Sequence, residues 1–284
     1  MRLARMCLLL SALTAICWGH TFKLSPAYWR DGQPTGFTLQ VRLNDGAPLR
    51  LLLDTGASSL MISRRAAAKQ GLKAITESTI SGFGEQATRA SQTAMAGRVT
   101  IGEFSVQDVM VEITDYEIAD DVDGFIGTAL FRDFRLRLHG PKRTLELLPR
   151  GQPAMQAAGE AHPFRQVDHL ILVPVRVNGR QQGDFLVDSG ASFSAVDQRW
   201  MIGSLRPVFL RGVGGRIPEA LRVNPVHLEL AGRTVWERDV VAMDMRTMSE
   251  QHGIPISGLI GFPTLRNSIL TIDYREGLLH LSTR

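Results

Sequence analysis

Short apolar segments that partly alternate with polar residues recur along the chain and predict β-strands. The segments at 37–43 and 170–177 combine β-branched and apolar residues with this alternation. Turn residues follow each of them, Asn-Asp-Gly at 44–46 and Asn-Gly at 178–179, a pattern typical of hairpins. Each of these segments is therefore expected to be the first strand of a hairpin.

After each predicted turn the chain has an apolar run, at 49–53, where Arg50 is the one polar residue, and at 185–187. Such runs are expected of strands that are buried on both faces. Helical patterning is confined to short pieces, at 63–70 and, more weakly, at 197–202. The pattern as a whole predicts a mostly β protein.

A single constant offset, equal to the separation of positions 54 and 188, aligns the two halves of the chain at several separate places. The matching segments are 41–44 with 175–178, 52–58 with 186–192, and 124–127 with 258–261. Because these matches share one register, the chain is expected to contain two copies of one unit. The copies would span about 37–150 and 171–284 and form two lobes.

Each copy has an aspartate where its buried strand ends, Asp54 in an Asp-Thr-Gly sequence and Asp188 in an Asp-Ser-Gly sequence. Burying a carboxylate is unfavourable unless it is paired or hydrogen-bonded, and the glycine permits a tight turn. One such loop by itself is equally consistent with an ordinary turn. Two of them, one per copy, predict that a pseudo-twofold axis brings Asp54 and Asp188 face to face.

A Gly-x-Ile-Gly segment follows the aspartate at the same distance in both copies, beginning at Gly124 in the first and at Gly258 in the second. An apolar pair bounded by glycines suits a strand that passes closely by the aspartate loop. The alternative is an ordinary β-turn marked by glycine.

A glycine-rich segment lies between these elements in each copy, and candidate strands flank it. The segments contain Gly82, Phe83 and Gly84 in the first copy and Gly212, Val213 and Gly214 in the second. They are predicted to be flexible hairpins, or flaps, that fold over a bound ligand and exclude water. Surface hairpins with glycine turns are the alternative.

With these motifs the sequence resembles the aspartic proteases of the pepsin and retropepsin clan. Both Asp-(Thr/Ser)-Gly-Ala-Ser loops match the catalytic loop of that family, and the resemblance extends from about residue 37 to the end. One glycine-rich tip per half is similar to retropepsins, and neither tip carries the tyrosine of pepsin-like flaps. The resemblance implies an all-β fold of two β-barrel lobes with pseudo-twofold symmetry and few short helices, like a retropepsin dimer fused into one chain.

The resemblance also implies an aspartic endopeptidase in which Asp54 and Asp188 share a proton and activate a water molecule; this family is a known example of such sharing. The residues that would support the catalytic loops are Thr55, Gly56, Ser189 and Gly190. The partner would be a peptide or protein substrate, with no cofactor and no metal. A non-hydrolytic peptide-binding or scaffold protein that reuses the fold is the alternative.

The segment at 1–19 has the pattern of a signal peptide: Arg2 and Arg5, an apolar run at 6–16, and small residues before His20. It predicts export to a bacterial periplasm, with secretion or a retained N-terminal membrane anchor as alternatives. The remaining chain is expected to divide into a first lobe at 20–150, a linker at 151–163 and a second lobe at 164–284.

Composition narrows the possible functions further. The chain is 44% hydrophobic and 21% charged, as in folded globular proteins. Cys7 and Cys17 both lie in the predicted signal peptide, which excludes a thiol nucleophile and a cysteine-ligated zinc in the mature chain. Removing Arg2 and Arg5 lowers the formal charge of +4 by two, to +2, so no nucleic-acid partner is expected. A monomer that acts as an internal pseudo-dimer is expected, tethered to a membrane if the signal is retained.

Overall fold

A computed structural model describes residues 19–29, 32–86, 88–116, 121–149, 160–201 and 206–283. Residues 1–18 of the predicted signal peptide and 151–159 of the predicted linker lie outside these ranges.

Strands make up most of both halves. In the first half they are β1 (His20–Lys23), β2 (Ser25–Tyr28), β3 (Pro34–Leu43), β4 (Leu49–Asp54), β5 (Leu60–Ser63), β6 (Ala74–Ser81), β7 (Thr88–Ile101), β8 (Phe104–Thr114), β9 (Gly124–Gly127), β10 (Arg135–His139) and β11 (Thr144–Leu148). In the second half they are β12 (Ala161–Pro163), β13 (Arg165–Val167), β14 (Leu170–Val177), β15 (Gln181–Val187), β16 (Ser194–Asp197), β17 (Arg206–Pro207), β18 (Leu210–Gly212), β19 (Gly215–Ile217), β20 (Leu221–Arg222), β21 (Val226–Leu230), β22 (Arg233–Glu237), β23 (Val240–Met243), β24 (Gly258–Ile260), β25 (Ser268–Asp273) and β26 (Leu278–Thr283).

Helices in the described ranges are short. They are α1 (Arg64–Lys69), α2 (Arg246–His252) and α3 (Phe262–Leu265), with 3-10 turns at Thr128–Phe131 and Gln198–Trp200. The predicted helix at 63–70 is confirmed as α1, and the Ser63 hydroxyl caps it by accepting the Ala66 N–H at 3.2 Å. Its weaker counterpart at 197–202 forms, as far as residue 201 where the described range ends, only the 3-10 turn at Gln198–Trp200.

The first lobe is built on an eight-stranded sheet with the order β2-β3-β4-β9-β5-β8-β7-β6. Strand β9 carries the first Gly-x-Ile-Gly sequence and lies between β4, to which it is parallel, and β5, to which it is antiparallel. The apolar run of β4 is almost fully buried between its neighbours, as predicted. This pairing fixes the end of β4, where Asp54 lies.

The second lobe repeats this arrangement with the order β14-β15-β24-β16. Leu53 pairs with Ile126 in the first lobe, and Val187 pairs with Ile260 in the second. The two paired residues of the second lobe follow those of the first lobe by the same offset that relates the two halves of the sequence. The duplication therefore extends to the register of the strands. The prediction of an all-β, two-lobed fold is confirmed.

A six-stranded sheet joins the lobes, with the order β1-β11-β10-β25-β26-β12. Strands β10 and β25, which occupy equivalent positions in the two halves, pair antiparallel at its centre. Contacts between side chains add to this junction: the rings of Phe37 and Phe262 meet edge to face at 4.8 Å, and the hydroxyls of Thr128 and Tyr274 lie 2.6 Å apart. The two lobes are therefore connected by main-chain hydrogen bonds as well as by the linker.

The part of the predicted linker that the structure describes contains a short strand. Residues Ala161–Pro163, within the predicted linker at 151–163, form β12 and pair with β26 at the edge of the junction sheet. Their backbone groups thus find partners in the sheet. Within the described ranges, no helix has the length and apolar character needed to cross a membrane.

Candidate active site

The two aspartates lie at the ends of equivalent central strands. Asp54 is the last residue of β4, and Asp188 directly follows β15. In both loops the chain turns immediately after the carboxyl-bearing residue, so the side chains project from the ends of buried strands into a shared cleft. The repeated fold therefore presents the two carboxyls from opposite lobes.

Each carboxyl group lies directly against the glycine of the other loop. A Cβ atom placed on Gly190 would lie 2.5 Å from Cγ of Asp54, and one placed on Gly56 would lie 3.0 Å from Cγ of Asp188. Only glycine allows the opposite carboxyl to come this close without displacement. The structure thus brings Asp54 and Asp188 together, and the two side chains are hydrogen-bonded to each other.

Backbone N–H groups orient both carboxyls. Gly56 donates to Oδ1 of Asp54 at 2.7 Å, and Gly190 and Ala191 donate to Oδ1 of Asp188 at 2.9 and 3.0 Å. These donors stabilise a negative charge on the pair. They also hold the carboxyl planes in a fixed orientation across the interface between the lobes.

Burial opposes that charge. Loss of hydration at the floor of the cleft raises the pKa of Asp54 well above its ordinary value of 3.8, and the charge of Asp188 raises this pKa further. Burial also raises the pKa of Asp188, against the effect of its hydrogen bonds. Two such groups titrate as a unit, and the arrangement favours one proton shared between them.

Thr55 and Ser189 connect the two loops through reciprocal hydrogen bonds. The Thr55 hydroxyl donates to the Val187 carbonyl at 2.7 Å and accepts the Ser189 N–H at 2.9 Å. The Ser189 hydroxyl donates to the Leu53 carbonyl at 2.8 Å and accepts the Thr55 N–H at 3.1 Å. Both residues are buried, so each hydroxyl satisfies two backbone groups of the opposite lobe in the absence of solvent.

Replacing Thr55 by valine is expected to lower the free energy of unfolding by about 1–3 kcal/mol, because it leaves a buried carbonyl and a buried N–H without partners. Thermal unfolding would measure the loss, with Thr55→Ser, which keeps the hydroxyl, as the matched control. Combined with Ser189→Ala, the loss should be less than additive, since both hydroxyls belong to one network. Additive losses would contradict this coupling.

A cleft of about 300 Å³ opens above the two aspartates. Its wall in the first lobe includes Trp29, Met61 and Phe125, and its wall in the second lobe includes Leu186 and Met248. Apolar walls around a small number of polar groups are typical of sites that bind a ligand.

Both predicted flaps reach over this cleft. The first is the hairpin of β6 and β7, and the second is the hairpin of β18 and β19. Four of the predicted flap residues line the cleft, and they are Gly82, Phe83, Gly212 and Val213. Gly84 and Gly214 lie at the tips, where the hairpins meet.

Main-chain hydrogen bonds join the two tips. Gly214 donates its N–H to the Phe83 carbonyl at 2.8 Å, and Gln86 donates to the Gly214 carbonyl at 3.0 Å. A third bond runs from the Glu85 N–H to the Arg216 carbonyl at 2.7 Å. The Phe83 ring packs against the apolar cluster of the second lobe, so the flaps close the roof of the cleft.

Sequence reasoning missed several residues that line the cleft, among them Thr35 and His169. His169 contacts the loop that follows Asp54 through Nε2, 3.0 Å from the Gly56 carbonyl, and burial lowers the pKa of His169. Thr35 is buried, and its hydroxyl has no partner among the described residues. The repeat contained a signal that could have identified them: Thr35 precedes Asp54, and His169 precedes Asp188, by the same distance along the chain.

Comparison with known proteins finds a family model that matches part of the first lobe and a solved structure with a similar fold. Residues 39–130, which contain Asp54, match a family model described as aspartyl protease. The crystal structure of an aspartic proteinase from Irpex lacteus superimposes with a TM-score of 0.59 at 12% sequence identity, covering 94% of this chain and 97% of that one. No curated protein sequence gives a significant match. At this low identity, the structural likeness shows the fold alone.

Proposed function

We propose that the chain is an aspartic protease, an exported endopeptidase whose Asp54 and Asp188 activate a water molecule. The match of residues 39–130 to the aspartyl protease model and the similarity of fold to an aspartic proteinase support this proposal. The observation that carries this proposal is the contact of each carboxyl with the glycine of the opposite loop, below two closed flaps. A protein that only bound peptides would have little need to hold two acids together against their mutual repulsion.

In the proposed reaction the ionised carboxyl accepts a proton from water, whose oxygen attacks the scissile carbonyl. The protonated carboxyl donates a hydrogen bond to the carbonyl oxygen and stabilises the charge that develops there. The tetrahedral intermediate then collapses as the C–N bond breaks and the leaving nitrogen receives a proton. The closed flaps exclude bulk water from these steps.

Export is proposed from the N-terminal segment, whose two arginines, short apolar run and small residues before His20 are typical of a cleaved signal. A periplasmic location follows from this interpretation. N-terminal sequencing of the mature protein would test it, since a chain that still began at Met1 would favour a retained anchor.

The proposed activity is tested by incubating the mature chain with a mixture of denatured proteins, with and without a statine-type inhibitor. Cleavage that the inhibitor blocks is expected. Peptide binding without any turnover would favour the alternative of a non-hydrolytic binding protein. Equal cleavage with and without the inhibitor would point to a contaminating protease of another class.

The rate of cleavage is expected to be highest at mildly acidic to near-neutral pH. Activity requires one ionised and one protonated carboxyl, and burial raises the pKa of both, which moves the active range towards higher pH. Ala57 and Ala191 supply no side-chain hydroxyl that would oppose this shift. The profile of kcat/KM against pH measures the range, and a maximum below about pH 3 would contradict the prediction.

A further inference from the structure

The tips of the two flaps carry an excess of positive charge. Arg211 and Arg216 are directly opposite each other in the second flap, and Arg89 reaches from the first flap to the Val213 carbonyl at 3.5 Å. Like charges at opposed positions of a hairpin are unfavourable. None of the three arginines has an ion-pair partner among the described residues, although many other arginines of the chain do.

Arg211 is the member of this group that lines the cleft. Its charge acts on Tyr116, a first-lobe residue in the cleft wall, and opposes the rise that burial causes in the pKa of Tyr116. Arg89 acts on the same tyrosine in the same direction. Tyr116 therefore lies within electrostatic reach of both arginines.

The carboxylate of the first-lobe wall forms no ion pair with Arg211 in the part of the chain that the structure describes. Glu112 lines the cleft, but it accepts hydrogen bonds from the hydroxyls of Ser78, Ser91 and Thr93 at 2.7 to 3.2 Å. These three donors satisfy its oxygens. Arg211 is left as an exposed cation in the cleft wall, without an ion-pair partner among the described residues.

The two flap tips also differ in the residue that precedes their first glycine. In the alignment of the flap tips Ser81 occupies the position of Arg211, before the first glycine of each tip. The two lobes thus offer a bound peptide different chemistry on the two sides of the aspartates, a hydroxyl on one side and a guanidinium on the other.

We propose that Arg211 is a specificity-determining residue that selects substrates with an acidic side chain on one side of the scissile bond. The inference rests on the proposed peptidase function and adds a substrate class to it. A guanidinium binds a carboxylate through two parallel hydrogen bonds, and the amide of glutamine lacks the charge that makes this pairing strong.

The test uses short peptides with a central Phe-Leu pair and glutamine at all other positions, each replaced in turn by glutamate. At one position on one side of the Phe-Leu bond, glutamate should raise kcat/KM by about tenfold over glutamine, and added salt should reduce the ratio. The Arg211→Gln variant should bring this ratio to about one. A parent enzyme with no preference for glutamate, or a ratio that Arg211→Gln leaves unchanged, would overturn the proposal.

Two further variants separate this role from a general effect of charge. Arg65→Gln removes one positive charge from the exposed face of α1, outside the cleft, and should keep the full glutamate ratio. Ser81→Arg should create a second preference for glutamate, on the other side of the scissile bond. A gain of this kind cannot be explained by misfolding.

Failure of the peptidase function would be seen separately. If the parent enzyme cleaves none of these peptides, their affinity for an Asp188→Asn variant is measured by fluorescence anisotropy. Tighter binding of the glutamate peptide, lost on adding Arg211→Gln, would support the role of Arg211 even then. Equal binding of both peptides would overturn it.

Discussion

Replacing Asp188 by asparagine is expected to reduce kcat by about a thousandfold or more, and Asp54→Asn should do the same. An amide has no carboxylate to accept a proton from water and no acidic proton to give to the carbonyl oxygen. Because each carboxyl contacts the other across the lobe interface, neither can replace the function of its partner. Cleavage of a fluorogenic peptide measures the loss, and near-full activity in either variant would refute the shared dyad.

The same variants are expected to be more stable than the parent chain at neutral pH. Burial raises the pKa of both carboxyls above 3.8, so ionisation is less favourable in the folded than in the unfolded chain. The free energy of unfolding therefore falls as pH rises above about 4 through the raised pKa, and this loss is absent below about pH 4. Asparagine does not ionise, so its advantage in Tm at pH 7 should disappear in acid.

This pattern of stability serves as the control for the loss of activity. Each unit of pKa elevation corresponds to about 1.4 kcal/mol. That amount is equivalent to several degrees in Tm, at about 2–4 °C per kcal/mol for a chain of this size. An inactive variant with a raised Tm at pH 7 has kept its fold, whereas an inactive variant with a lowered Tm would leave misfolding as the explanation.

The second large effect is expected from Gly190→Ala, which should reduce kcat/KM by about a hundredfold. Its new Cβ would lie 2.5 Å from both Cγ and Oδ2 of Asp54, closer than carbon atoms approach in proteins. The Asp54 carboxyl would have to move, and it would lose its alignment with Asp188. A displacement of about 1 Å at a reacting group is sufficient for a loss of this size.

Substitutions of two other glycines serve as comparisons for Gly190→Ala. Gly56→Ala places its Cβ 3.0 Å from Cγ of Asp188, so a smaller shift and a milder loss, of about tenfold, are expected. Gly97→Ala meets only Oδ1 of Asn44 at 3.5 Å and should keep full activity. A Gly190→Ala variant as active as Gly97→Ala would show that the carboxyls are not held at the distance described.

The sequence was sufficient to predict the features that the duplication repeats. Matching loops around Asp54 and Asp188, at one offset from two Gly-x-Ile-Gly segments, required the same local structure twice. The close passage of β9 and β24 by the aspartate loops follows from this repetition, as does the approach of the two loops, whereas the parallel direction of their pairing with β4 and β15 was seen only in the structure. The reciprocal bonds of Thr55 and Ser189 also belong to this group, since each needs its counterpart in the other copy.

Features that depend on long-range contacts without a distinctive local motif were not predictable. The junction sheet pairs β10 with β25, and nothing in these short alternating strands distinguishes them from other strands. The cleft wall takes Trp29, Tyr116 and His169 from separate turns, and only the folded chain shows that they converge. The hydrogen bonds between the flap tips involve backbone groups, which carry no sequence signal.

The junction sheet has a consequence for how the enzyme responds to dilution. A site assembled from two separate chains is lost when the protein concentration falls below the dissociation constant of the pair. Here the strands that close each half are joined within one molecule, which holds the two acidic loops at a constant effective concentration. We therefore expect the activity per molecule to be independent of protein concentration, which a dilution series would measure.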